Sequence, residues 1–294
     1  MQLTENRSSV AVVRKSTVAE SALSFLVKSI SFLGKCALMI VFVFPFLWMI
    51  STSLQTLRET MSFPPTLIPA VPQWENFTIA WNRAPFALFA RNSVIVTLAS
   101  IAMQLITMIP ASYAFAKYEF VGKRFFFGCV LLAFMIPGQV TFLPLYLMMA
   151  SWGWLPTLLP QIIPSMVSTF GIFLLRQYFM QIPEEMVEAA RLDNASEFAV
   201  LCKVMLPIAR PALATIALFS FVGNWNSYFW PLIMTNTIEV RPLTLGIALL
   251  YETESVQNWN IIMAGNMFLI IPILVVYALS SKWILSSLEY VGIK

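Results

Sequence analysis

The chain has 294 residues, of which 59% are hydrophobic and only 11% charged, and its mean hydropathy is +0.78. A soluble domain carries about 25% charged residues, so this composition excludes an ordinary soluble fold and points to an all-α integral membrane protein. There is no His, and Cys36, Cys129 and Cys202 show neither metal-ligand nor disulfide spacing, which argues against a metalloenzyme.

Residues 1–31 carry Arg7, Arg14, Lys15 and Lys28 against Glu5 and Glu20, with no small-residue cleavage site before the first apolar run. They read as a retained N-terminal tail whose apolar positions Ala22, Phe25, Leu26 and Ile30 lead into the first span. Cys36 to Leu54 is uncharged for nineteen residues, close to the roughly 20 that cross a bilayer, and sets the first of six expected spans at about 35–54. Residues 55–90 are rich in Pro, Trp and Phe and suit an irregular external loop. Asn92 to Ala116 is again uncharged, giving a span at 92–116, and Lys117, Lys123 and Arg124 follow at once.

No charge occurs from Phe125 to Leu175. As one helix that stretch would measure about 75 Å, more than twice the hydrocarbon core, so it must hold two spans. The spans fall at 125–150 and 157–179, with the break at 151–157, where Trp152, Gly153, Trp154 and Pro156 combine interfacial aromatics with turn residues.

Residues 181–207 form the longest charge-bearing segment between apolar ones. Pro183 suits a first helical position, Glu184 and Glu185 favour the helix dipole, and Met186, Ala189 and Ala190 share a face. Asn194 stands where a helix end needs a residue tolerant of positive φ. Ser196 is placed to cap a second helix with apolar positions Phe198, Leu201, Cys202 and Met205, before Pro207 prevents simple continuation. A helix-turn-helix knob is the expected result.

Pro211 to Ile238 supplies a fifth span at 209–234, Glu239, Arg241, Glu252 and Glu254 mark a loop, and Ser255 to Ser281 holds the sixth at 260–282. A six-span domain at 32–285 then leaves a short tail at 286–294. With both termini, the 117–124 loop and the knob placed inside, fourteen of the eighteen Lys and Arg are cytoplasmic and only Arg58, Arg83, Arg91 and Arg241 are outside. The positive-inside rule fixes this orientation and accounts for the net charge of +4 without nucleic acid.

EAA at 188–190, a turn residue four places on, and LP at 206 and 207 resemble the EAA motif of ATP-binding-cassette importer permeases. The family usually has Gly where Asn194 stands. The resemblance implies that Glu188, Ala189, Ala190, Asp193, Asn194, Leu206 and Pro207 belong to a coupling loop that docks in a cytoplasmic ATPase subunit. WENF at 74–77, NS at 92–93, IPGQVTFLPLY at 136–146, FLLRQYFMQIP at 173–183 and WNSYFWPL at 225–232 are similar to the maltose-type carbohydrate branch. That branch implies a bacterial inner-membrane location, a second homologous permease, two ATP-binding subunits, an extracytoplasmic solute-binding protein and a carbohydrate solute. LEYVGIK is a loose counterpart of the branch's Gly-containing C-terminal tail.

The residues themselves support transport. Acidic and basic residues can all be placed outside the bilayer core, so no ion-coupling carboxylate is visible, and no P-loop is present. ATP and Mg are therefore expected on a partner ATPase, with no cofactor on this chain and no enzymatic constellation. Asn224, Trp225, Asn226 and Tyr228 fall near the middle of the fifth span, where polar and aromatic side chains suit sugar hydroxyls and ring faces. Interhelical packing explains them equally well. Pro137, Gly138 and Gln139 make the best candidate for a functional helix break, while for Gln139 and Gln104 hydrogen bonds between helices are the favoured reading over lining a pathway. A permease for a non-sugar solute such as a glycerol phosphate, or a membrane scaffold, are the alternatives.

Overall fold

The computed structural model describes the backbone at residues 8–252 and 257–292, and side chains at residue 25 and residues 27–251 and 257–281. Secondary structure among the described residues is helical, without strands. The chain divides into two units, Met1–Gln73 and Trp74–Lys294.

The first unit is α1 (Ser8–Ser53) and the segment after it. Its Val27–Ser53 portion is long and apolar enough to span, and residues 8–31, expected as a tail, continue the same helix. Past α1 the chain folds back on itself. Gln55 donates its amide to Thr66 O at 2.7 Å, and Gln73 N–H reaches Leu54 O at 2.8 Å. Thr56 and Glu59 form a capping box at the start of α2 (Leu57–Thr60). The Glu59 carboxylate also accepts from Ala70 N–H at 3.0 Å. The backbone N–H of Thr56, and then that of Ala70, hold the Glu59 carboxyl below its ordinary value.

The second unit opens with α3 (Glu75–Asn82), a helix inside the stretch expected to be irregular. It is anchored by the buried pair Asn76 and Asn260, 3.0 Å apart. α4 (Phe86–Lys117) starts six residues before the expected Asn92, directly after Pro85 at its cap. α5 (Lys123–Met135) and α6 (Gly138–Ser151) together occupy the expected third span, but they meet at 96°. Ser151 ends α6 and Gly153 takes φ +70°, at the expected break.

The expected fourth span is also interrupted. A short helix, α7 (Leu159–Ile162), passes through a 3-10 turn to α8 (Thr169–Met180), which Ser168 caps by accepting from Gly171 N–H. Pro164 has no N–H to give Pro160 O, and past it the carbonyls left free by the interruption are taken up by α4: Gln104 Nε2 donates to Ser165 O at 2.8 Å and Thr107 Oγ1 to Met166 O at 2.7 Å. Gln104 also accepts from Ser220 Oγ at 2.6 Å, so it bridges helices.

The knob holds α9 (Glu184–Leu192) and α10 (Glu197–Val200), a π-helical stretch at Leu201–Met205, and α11 (Leu206–Ile208). α12 (Arg210–Trp225) leaves it at 80°. α13 (Phe229–Met234), α14 (Leu243–Glu252) and α15 (Trp259–Gly292) complete the unit. α14 corrects the expected loop: Leu243, Leu245, Ile247 and Leu250 are buried, so this helix, though about 15 Å long and too short to span, is part of the core. Gly246 permits it, since a Cβ there would stand 2.2 Å from the buried ring of Phe89. Residues 253–256, including the loop marker Glu254, and 293–294 lie outside the described residues, while α15 runs through most of the expected C-terminal tail.

Four helical stretches are long and apolar enough to cross a bilayer, and the number reaches six if each bent pair is one span. Their packing makes two principal cores. One joins α4, α8, the knob and the start of α12 through Met108, Leu175, Phe179, Val187, Val200 and Ile216. The other joins α4, α12, α14 and α15 through Phe86, Phe89, Trp225, Leu243 and Ile262.

Candidate functional site

Two helix breaks frame one cavity. α5 gives way to α6 at Ile136 and Pro137, both in extended conformation. α12 stops at Trp225, and the chain restarts as α13 two residues after Ser227. Between the breaks lies a cavity of about 460 Å³. Gln139 and Thr141 line it from α6, Gln161 and Ser165 from the α7 turn, and Asn224, Ser227, Tyr228 and Trp230 from the second break. None of its lining residues is charged. Irregular backbone at membrane depth is tolerated where it is buried in protein or lines such a cavity. Here the loose groups are also engaged: Thr244 Oγ1 donates to Ser227 O at 2.7 Å, and Trp230 Nε1 to Pro160 O at 2.8 Å.

One wall is a stapled loop. Asn92, fully buried on α4, donates its amide to Glu239 O at 2.7 Å and Arg241 O at 3.0 Å. Ser93 Oγ accepts from Leu243 N–H at 2.8 Å, and Gln161 Nε2 donates to Val240 O at 2.8 Å. Three side chains from two other elements thus fix residues 239–243, and Pro242 among them meets the cavity.

The knob is built as its sequence implies at both caps. Asn194 has φ 57°. Ala195 N–H reaches Ala190 O, and Asn194 N–H reaches Arg191 O, which is a Schellman closure. Ser196 Oγ accepts from Ala199 N–H at 3.3 Å. Two details differ. Pro183 precedes the first helical residue rather than occupying it, and Pro207 does not end the second helix. A π turn, closed by Leu206 N–H to Leu201 O, precedes Pro207, which then sits in the first turn of α11.

The buried face of α9 is Val187, with Ala190 half-buried, while Met186 is 46% exposed. Phe198 is 76% exposed and Leu192 83%. Together with exposed Glu188 and Ala189 they give the knob an outward surface mixing apolar and acidic groups. Its inward side is tied to α4 by polar contacts. Lys117 Nζ meets Glu184 Oε2 at 2.7 Å and Ile182 O at 2.8 Å. Tyr113 Oη donates to Glu197 Oε2 at 2.7 Å, and Arg191 Nε holds Glu197 Oε1 at 2.8 Å.

Residues 107–289 match the family described as "Binding-protein-dependent transport system inner membrane component". The chain belongs to this family. It is an inner-membrane transport component, not an enzyme, and the ATPase of such a system is a separate chain. The permease is 31% identical to the arabinooligosaccharides transport system permease protein AraQ of Halalkalibacterium halodurans, over 86% of this chain and 91% of that one. It is 30% identical to the sn-glycerol-3-phosphate transport system permease protein UgpE of Yersinia pestis, over 78% and 84%. A chain of a bacterial ABC transporter that imports the acidic polysaccharide alginate superposes with a TM-score of 0.77 at 25% identity, over 89% of the permease and 97% of that chain.

The residues singled out in the permease's sequence fall into separate places. Glu188, Ala189, Asp193 and Asn194 are exposed on the knob, while Ala190, Leu206 and Pro207 are half-buried behind them. Gln139, Asn224 and Tyr228 share the cavity wall. Trp225 does not. Its ring is 5% exposed, stacks on Phe221 at 5.5 Å and donates Nε1–H to Leu269 O at 2.9 Å. Trp225 thus packs within this chain and is not on the cavity wall. Asn226, exposed at the helix end, is also absent from the wall. Both expectations assumed an unbroken span at 209–234; Trp225, the last residue of α12, lies about 100° around the helix from Asn224, and Asn226 falls at the break that follows.

Sequence reasoning missed Gln161, Ser165, Ser227 and Trp230. Gln161 carried a readable signal, an amide within a fifty-one-residue charge-free run. The serines carried none.

Proposed function

We propose that this permease forms part of the translocation path for a carbohydrate, with the cavity between the two helix breaks as its solute-facing wall. The single observation that carries this reading is an uncharged cavity of about 460 Å³ whose walls alternate amides, hydroxyls and aromatic rings, the chemistry that sugar hydroxyls and ring faces require. The carbohydrate names of its relatives, arabinooligosaccharides and alginate, support the same class. The glycerol phosphate of UgpE is the second reading.

Family membership supports the rest of the proposed assembly. Glu188, Ala189, Ala190, Asp193 and Asn194 dock a cytoplasmic ATPase, with Leu206 and Pro207 supporting them; two such subunits bind ATP and Mg, and this chain binds no cofactor. A second homologous permease and an extracytoplasmic solute-binding protein complete the complex. Both termini are cytoplasmic, so single Cys at positions 197 and 71 should label from opposite sides of the membrane; labelling of both from outside refutes the orientation.

The test is solute-stimulated ATPase activity of the reconstituted complex with its binding protein and a panel of sugars. Asn224→Ala and Tyr228→Ala, normalised to assembled complex, should each raise the half-saturating sugar concentration by roughly 5- to 150-fold, the loss of one buried polar partner. Unchanged responses to every stimulating sugar would remove the cavity from the path.

A further inference from the structure

Beside the main cavity, between α13 and α14, lies a recess of about 110 Å³, and Tyr228 is wall to both. Thr235 and Arg241 also line the recess. Arg241 is half-buried, and its Nε is shut off from solvent without a hydrogen-bond partner. Among the described residues no carboxylate pairs with it. Glu239, two residues away, is engaged by its own backbone N–H and the Thr237 hydroxyl.

A guanidinium stays charged at every physiological pH and offers five donors in a planar fork. Holding the Nε–H of such a fork away from solvent without a partner costs free energy that an arriving anion restores. The backbone that carries Arg241 is fixed: its carbonyl is held by Asn92 at 3.0 Å and its N–H reaches Ile238 O at 3.3 Å. Val240, beside it, is pinned by Gln161. The point from which the side chain enters the recess is thus set before any ligand arrives.

We propose that Arg241 is an anion-reading subsite, and that the solute is a carbohydrate bearing a carboxylate or phosphate group. The hydroxyl-bearing part lies in the main cavity while the acidic group reaches the recess past Tyr228. This rests on the carbohydrate reading above. The recess holds only a few water volumes, room for an acidic group but not for a sugar ring. Carboxylate and phosphate both accept the guanidinium fork bidentately. A lipid headgroup offers the same phosphate chemistry; the wall shared with the main cavity favours the solute.

The complex with its binding protein, in nanodiscs, separates these sources. Four probes serve: an oligogalacturonate, the matching neutral oligogalactoside, glycerol phosphate and glycerol. Wild type should respond to at least one acidic probe. Arg241→Gln should raise its half-saturating concentration roughly tenfold or more while neutral responses hold, and Arg241→Lys should restore part of the loss, keeping charge without the fork. Ala248→Glu, which sets an internal carboxylate in the same recess, should weaken acidic probes alone and covers the case in which Arg241→Gln fails to assemble.

Stimulation by neutral probes only, or equal loss for acidic and neutral probes, overturns the proposal and leaves the carbohydrate reading standing. An Arg241→Gln effect that appears only in anionic lipid, and equally for all solutes, assigns the anion to a headgroup and also overturns it. Stimulation by no carbohydrate refutes the carbohydrate reading, and the subsite falls with it.

Discussion

Asn92→Leu tests whether the 239–243 loop is held in place from α4. The side chain is 1% exposed, and its single amide group serves two carbonyls, Glu239 O and Arg241 O. Leu fills a comparable volume and donates to neither. Each buried carbonyl left without a partner costs about 1–3 kcal/mol, so the pair sets an upper range of about 2–6 kcal/mol, reduced wherever the loop shifts to reach water. Ser93→Ala is the calibrating variant: it removes only the acceptor for Leu243 N–H, and should cost about half as much. For a unit of this size, each kcal/mol moves the unfolding midpoint by roughly 2–4 °C. The assay is thermal unfolding of the purified complex together with solute-stimulated ATPase activity. Asn92→Leu should lower the midpoint more than Ser93→Ala and weaken the solute response, because Pro242 and Arg241 both ride on this loop. An unchanged midpoint with an unchanged solute response would show that the loop stands without its staples.

Three further outcomes follow from single positions. Asn194→Gly should leave coupling intact because Gly accepts the observed φ of 57°, whereas Asn194→Pro imposes a negative φ and deletes the N–H that reaches Arg191 O; with Glu188→Lys it should abolish stimulated ATPase activity without blocking membrane insertion, and normal stimulation in either would contradict the coupling assignment. Gly246→Ala should cost about 1–3 kcal/mol by overpacking against Phe89, whereas Gly223→Ala, with nothing within 4 Å of its Cβ, should be close to neutral; equal midpoints for the two would refute the close approach of α14 to α4. Glu59 has a lowered folded-state pKa, so its contribution is present above its unfolded value of 4.5 and is lost as pH falls through the folded one. Protection of the Ala70 amide against hydrogen exchange should therefore hold from pH 8 to pH 5, fall in stronger acid, and be weaker at pH 7 in Glu59→Gln; an amide equally protected in that variant would refute the contact.

The sequence was legible where one local rule governs. Charge-free length placed six apolar regions, and the turn at Asn194 with the cap at Ser196 could be read from residue type alone, since few residues accept φ 57° or offer a short side-chain acceptor. It failed where partners distant in the chain decide the outcome. α14 lies between charges and looks like a loop until Phe89 and Ile262 are seen to enclose it. The interruptions at Pro164 and after Trp225 depend on Gln104, Thr107 and Thr244 to satisfy the freed carbonyls. Those donors sit between 17 and 61 residues away in the chain. Nothing in the spacing around Trp225 reveals that its ring turns inward to Leu269 while Asn224 and Tyr228 meet the cavity.

α12 connects the two halves of the proposed mechanism. It is sixteen residues long, about 24 Å, and carries Ala212 and Ile216 in the knob's core at one end and Asn224 on the cavity wall at the other. A displacement of the knob can be absorbed at only two non-helical points along this route, the 80° bend at Ala209 and the break at Asn226 to Tyr228. The bend is the stiffer of the two. Ala209 is fully buried, Val187 and Val200 pack beside it, and Lys117 and Tyr113 tie the knob to α4 on either side. The break is held by less: Thr244 Oγ1 holds Ser227 O, while Asn226 and Tyr228 are exposed and Ser227 is half-buried. Movement imposed at the knob therefore reaches the second break with less resistance than it meets at the first, and the residues that yield there are the ones beside and within the cavity wall.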